Sequence, residues 1–202
     1  MNLPIRRSVL RLMVLSAAAT LQFAGAMQAQ SGLAIPVPTD IQIEAGHQAF
    51  LKVGAVGTQN YICLPSGWTF TGPQATLFVT FQWFGTRIRQ QVGTHYLTPN
   101  PDEPGALRPL WQSSTDTSIV WGRQTGTSSD PQFVDPTAIP WLRLEAVGKQ
   151  AGPTGGAMLS QTTFIQRVNT TGGLKPTAAC TVGERQFVPY TADYVFYRKS
   201  GT

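Results

Sequence analysis

Between Thr76 and Phe84 the apolar residues fall on every second position: Leu77, Val79, Phe81 and Trp83 form one row, against Thr76, Phe78, Thr80, Gln82 and Phe84. Successive side chains of an extended strand point to opposite faces, so this row is expected to lie on a core face, with Trp83 inside it. His47 to Val56 alternates in the same way, and Gln59 to Leu64 continues extended beyond Gly57. Shorter strands are expected at Ile119 to Trp121, Trp141 to Val147, Leu159 to Val168 and Phe187 to Arg198, with Pro and Gly clusters between them at Gly72-Pro73, Pro99 to Pro109, Asp130 to Pro140 and Gly148 to Gly156. Past the N-terminal leader, no segment longer than about ten residues carries a helical stripe. The pattern predicts an all-β, single-domain, antiparallel β-sandwich or flattened barrel with long Pro- and Gly-rich loops.

The first residues follow a different rule. Arg6, Arg7 and Arg11 precede an apolar stretch from Leu12 to Leu21, and Ala24-Gly25-Ala26 supplies small residues for cleavage. Basic, apolar and small-residue regions in that order read as an export signal over residues 1–26, leaving residues 27–202 as one β domain. Arg6-Arg7-Ser8-Val9-Leu10-Arg11 also resembles the twin-arginine pattern, although Ile5 stands where Ser or Thr is usual, so both export routes stay open. The apolar core of the leader is too short to span a bilayer, and no later segment approaches the required length. The mature protein is expected in the periplasm or outside the cell, with no transmembrane anchor.

The leader also distorts the charge. The chain has 15 basic and 10 acidic residues, three of the arginines are in the leader, and 12 against 10 remain. That scattered excess gives no footprint for nucleic acid or an anionic membrane. Cys63 and Cys180 are the two cysteines, and an even count in an oxidising compartment predicts a disulfide between them.

Several motifs together carry a resemblance: Gly57-Thr58-Gln59-Asn60-Tyr61-Ile62-Cys63, Gly93-Thr94-His95, Ile139-Pro140-Trp141-Leu142, Ile165 to Thr170 with Gly172-Gly173, and Val188 to Tyr194. From about Pro36 to Arg198 the chain resembles the secreted bacterial and fungal proteins of domain-of-unknown-function family 3455. The resemblance implies an exported domain without an assigned activity. Some fungal relatives carry a malate dehydrogenase label, but this chain has no G-x-G-x-x-G after a strand and no alternating strand-helix series to build a dinucleotide fold.

Catalytic signatures are sparse. There is no G-x-S-x-G, and His47 and His95, the two imidazoles, lack the paired spacing of a zinc site; Glu44 and Asp102 are the carboxylates nearest them in sequence. No metal and no cofactor is expected. His95 follows Gly93-Thr94 at the end of an apolar strand and precedes the Pro-rich segment toward Trp111, so it is expected at a strand-to-loop junction. Trp68, Trp111, Trp121 and Trp141 stand beside turns, where an indole can be half exposed or can fill a core. Arg143 and Arg167 sit within apolar strands, to be paired with Glu145 or Asp193 or to face a polar pocket. The candidate ligand site is therefore His95 and Trp111 with Trp68 or Trp141, and Arg143 or Arg167 to neutralise an anionic group. Three functions follow in order: a binding protein for a small molecule or envelope glycan, a structural envelope protein, and an enzyme pairing His95 with a carboxylate, metal-assisted or not.

Overall fold

The computed structural model describes Leu33 and residues 35–201; the export leader expected at residues 1–26 lies outside the described residues. Eight strands follow in order: β1 (His47–Leu64), β2 (Gly67–Trp83), β3 (Thr86–Pro99), β4 (Leu107–Ser113), β5 (Ile119–Ser128), β6 (Trp141–Gln150), β7 (Phe164–Gly172) and β8 (Arg185–Lys199). Each pairs antiparallel with its chain neighbours, and β8 returns to pair with β1, so the sheet closes into an up-and-down barrel. Closure removes both sheet edges and leaves one enclosed interior, which for eight strands is wide enough for packed side chains or a small ligand. Among the described residues no helix is long and apolar enough to cross a membrane.

β1 is one continuous strand where two segments were expected. Gly57 does not interrupt it, because a Cβ there would overlap the Gln74 carbonyl oxygen and the Ala75 backbone. Only glycine lets β1 lie this close to β2, and the register shifts three residues later, between Asn60 and Tyr61.

The long apolar row of β2 is only half core. Leu77 is buried, but Phe81 and Trp83 are exposed, Trp83 to 61%, which corrects the placement expected from alternation. The reason is register: β1 pairs with β2 no further than Phe78, and β4 pairs with β3 only from Gly93 onward. Val79 still packs against the interior, but from Thr80 to Gln91 the β2–β3 hairpin has no neighbouring strand among the described residues and leaves the barrel. Its turn places Phe84 and Gly85 at φ 45° and 79°, the left-handed pair that a tight hairpin requires. Phe84 is 94% exposed and packs edge-on against Trp83. We expect Trp83→Ser with Phe84→Ser to change the unfolding free energy by less than about 0.5 kcal/mol in urea titrations, since neither ring loses a core partner; a loss of about 2 kcal/mol would mean the tip packs elsewhere.

Of β3 only an apolar strand ending near His95 was expected, and Leu107–Pro109 of β4 fell within the expected Pro99 to Pro109 break. The first half of β3 is polar because it belongs to the projecting hairpin, so no apolar row marks it. Pro109 lies inside β4, opposite Leu97, and is tolerated because β4 pairs with β5 only over Leu110, Trp111 and Gln112. The turn between β3 and β4 is thus confined to residues 100–106. Leu159–Gln161 forms a 3₁₀ turn where strand was expected, and β7 begins at Phe164.

Three apolar clusters hold the fold. The barrel interior is filled by Val53, Leu77, Trp111, Val120, Leu144, Ile165, Tyr194 and Phe196. Outside it, Trp141, Val168, Val195 and Tyr197 are covered by Ile41 and the flanking Leu33, Ile35, Val37 and Ile43. Gln166 fastens this cover, donating through Nε2 to the Ile41 carbonyl at 2.7 Å and accepting from the Tyr197 hydroxyl at 2.6 Å. β8 is apolar on both faces for this reason: Tyr194 and Phe196 face the interior, and Val195 and Tyr197 face the cover. The third cluster surrounds the Cys63–Cys180 disulfide, with Tyr61, Trp68 and Val188.

Candidate ligand cavity

A cavity of about 440 Å³ opens into one end of the barrel, and all eight strands reach it. Its floor is an aromatic group. His95 on β3 and Trp111 on β4 are register partners, and their rings stack at 4.4 Å and 15°. Tyr194 on β8 meets Trp111 edge-on at 5.3 Å and His95 at 4.9 Å. Gly122 on β5 makes room for the indole, since a Cβ there would stand 3.0 Å from Trp111 Cζ3 and 3.3 Å from the Leu144 side chain.

His95 is 3% exposed, and its Nδ1 donates to the Leu110 carbonyl at 2.8 Å. That bond selects the neutral tautomer with Nε2 left as a lone-pair acceptor. Burial drives the imidazole down to about 3; the Leu110 bond opposes this and the Arg167 charge reinforces it. A group so hard to protonate is a weak general base at neutral pH. No Asp or Glu is among the cavity-lining residues to act with it. Asp102 lies in the β3–β4 turn, its N–H bound by Asn100 Oδ1, and Glu44 meets His47 only through its backbone carbonyl. Among the described residues no three His, Cys, Asp or Glu side chains are grouped to hold a metal ion.

Two residues of the cavity lining also carry buried donors. Gln59 Nε2 and Trp111 Nε1 are buried and have no acceptor among the described residues, on residues 4% and 1% exposed. The indoles of Trp121 and Trp141 also lack acceptors, but neither lines this cavity. Arg167 on β7 completes the wall, donating from Nε and Nη2 to the Pro140 carbonyl at 3.2 and 2.8 Å. Leu97, Leu142 and Leu144 supply apolar surface. At the rim, Arg108 grips Glu103 through Nε and Nη2 at 2.9 and 3.0 Å. That bond, with one from Asn100, holds the Glu103 carboxyl down at about 2.

The six candidate residues divide evenly. His95, Trp111 and Arg167 line one cavity. Trp68 instead packs beside the disulfide and donates from Nε1 to the Ala178 carbonyl at 3.0 Å. Trp141 lies under the outer cover, near Phe133. Arg143 points away from the interior to the Gln42 carbonyl and Thr125. The expected acidic partners are engaged elsewhere, Glu145 by Arg123 at 2.9 Å and Asp193 by Lys52 at 3.1 Å. His95 is not at a loop junction, since β3 continues to Pro99 and β4 follows.

Tyr194 and Gln59 were not singled out from sequence. Tyr194 had a signal, the alternation of Tyr190, Ala192, Tyr194 and Phe196, whereas Gln59 had none, being a polar residue close to a glycine. No curated protein matches the chain, and neither does any solved structure. A family model described as protein of unknown function (DUF3455) matches residues 44–198. That span opens just before β1 and ends within β8, so it takes in the barrel and its cavity, and the chain belongs to this family.

Proposed function

We propose that the mature chain is an exported binding protein that holds a small ligand inside its barrel. The observation that carries this reading is the pair of buried N–H groups, Gln59 Nε2 and Trp111 Nε1, left without acceptors beside a roomy cavity. A buried donor without a partner costs about 1–3 kcal/mol, so a purely structural barrel gains nothing by keeping two there. A ligand with acceptor atoms removes that cost on binding. The cavity volume is in the ordinary range for small-molecule sites, and its walls combine apolar surface with a few polar groups. Export is supported by the leader pattern and by the disulfide, a bond that persists in oxidising compartments.

The test is thermal unfolding of the mature protein against small planar compounds and short glycans. A true ligand present at a hundred times its Kd adds about 2.7 kcal/mol of stability. Leu142→Trp, which enlarges a half-buried cavity wall, should abolish the gain while leaving the unliganded protein folded by circular dichroism. Gains that survive this substitution, or none with any compound, would count against an interior site.

A further inference from the structure

The charge balance of the cavity narrows the ligand, on the reading that the barrel interior is a ligand site. Among the described residues three arginines line it, Arg108, Arg123 and Arg167, and no carboxylate does. Two are matched from outside: Glu103 lies 2.9 Å from Arg108 and 3.7 Å from Arg123, and Glu145 lies 2.9 Å from Arg123. Arg167 is different. It is half-buried, it donates to the Pro140 carbonyl, and no ion pair to it exists among the described residues. His95, Tyr61, Tyr190 and Tyr194 all feel its charge, Tyr194 also through a side-chain hydrogen bond, and none carries an opposing one at neutral pH.

We infer that the cavity selects an apolar monoanion, a carboxylate or sulfonate on a mainly hydrocarbon body, with Arg167 as the group that recognises its charge. A guanidinium forks onto a planar or trigonal oxyanion with charge-assisted bonds, and partial burial preserves their strength. One unmatched cation sets the charge at one. A dianion would leave its second charge among the leucines and neutral rings, where desolvation is costly. Gln59 Nε2 and Trp111 Nε1 add neutral donors suited to the ligand's remaining acceptor atoms.

A matched pair of fluorescent probes tests this directly. The probes 8-anilinonaphthalene-1-sulfonate and N-phenyl-1-naphthylamine share one skeleton and differ by the sulfonate. The mature protein should bind the sulfonate about tenfold more tightly or better, the span expected of one charge-assisted hydrogen-bonded contact. Arg167→Gln should erase that preference while changing the affinity of the neutral probe less than about twofold, and Arg167→Lys should retain part of it. The exposed hairpin, with Trp83, Phe84, Arg87 and Arg89, is the rival place for an aromatic anion, so Trp83→Ser with Phe84→Ser serves as the control. If neither probe binds, the reading of the barrel as a ligand site fails. If both bind equally, or the preference survives Arg167→Gln, the site stands and selection of an anion is refuted. Loss of the preference in the hairpin variant also refutes it, and if Arg167→Gln does not fold, the wild-type ratio and Arg167→Lys decide.

Discussion

Replacing Cys63 and Cys180 together by alanine should lower the unfolding free energy by about 3–5 kcal/mol, close to the whole stability of a marginal domain. The bond closes a loop with a sequence separation of 117, and Cys63 sits near the end of β1 while Cys180 precedes β8. Cross-linking so long a segment removes much of the conformational freedom of the unfolded chain. β1 and β8 are also the strands whose pairing closes the barrel, so the loss falls on the longest-range step of folding. Two backbone hydrogen bonds remain beside the bond, Cys63 N–H to Glu184 and Gly183 N–H to Cys63, at 2.8 and 2.9 Å, and they should keep the native corner in place. Guanidinium titrations of the oxidised protein and the double variant give the difference. A change below about 1 kcal/mol would mean that the unfolded state is already constrained. The Trp68 indole, bonded to Ala178 within the tethered segment, should report the local loosening by a shift in its emission.

The second large effect is on the acid side. In the unfolded chain the His95 imidazole takes up a proton near its usual 6.5, while in the barrel burial holds it down at about 3. Across that window the unfolded state binds the extra proton, so stability is full above pH 6.5 and falls as the pH is lowered toward 3. Integrated over the window the loss is roughly 4–5 kcal/mol, of which about half is reached by pH 4.5. The carboxyls of Glu103 and Asp116, both held at about 2, have ordinary values of 4.5 and 3.8 and contribute their own loss only below that range. Between pH 6.5 and 4.5 the slope therefore belongs mainly to His95. His95→Phe retains a flat ring against Trp111 and should flatten this segment of the stability curve. A variant whose stability still falls by 2 kcal/mol or more between those pH values would show that another group is responsible.

How much of this was legible beforehand depended on what a residue pattern encodes. Alternation in β1 and β8 marked strands that are strands, and the apolar run Tyr194 to Tyr197 marked a segment buried on both faces. The same alternation misled at Trp83, because a period of two states which side of its own strand a residue occupies and not whether a neighbouring strand extends that far. Only the end of β3 near His95 was read as strand, because its outer half is solvated on both faces, and β4 was missed because Pro109 suggested a break where the pairing ends. At the cavity, His95 drew attention through its glycine-flanked setting, but its partnership with Trp111 is a matter of β3–β4 register. Arg143 and Arg167 looked alike in sequence. The closed sheet sends one to the outer surface and the other to the cavity wall.

By itself, then, the sequence determined the all-β class, through period-two rows punctuated by glycine and proline, and the disulfide pairing, through a supply of two cysteines. Only the tertiary structure decided that the sheet closes, which strands border one another, and that His95, Trp111, Tyr194 and Arg167 share one cavity while Trp68 and Trp141 do not. The physical reason is separation along the chain. Local alternation is set by backbone geometry that each residue carries with it, whereas register and closure depend on pairings across tens of residues, of which β1 with β8 is the longest.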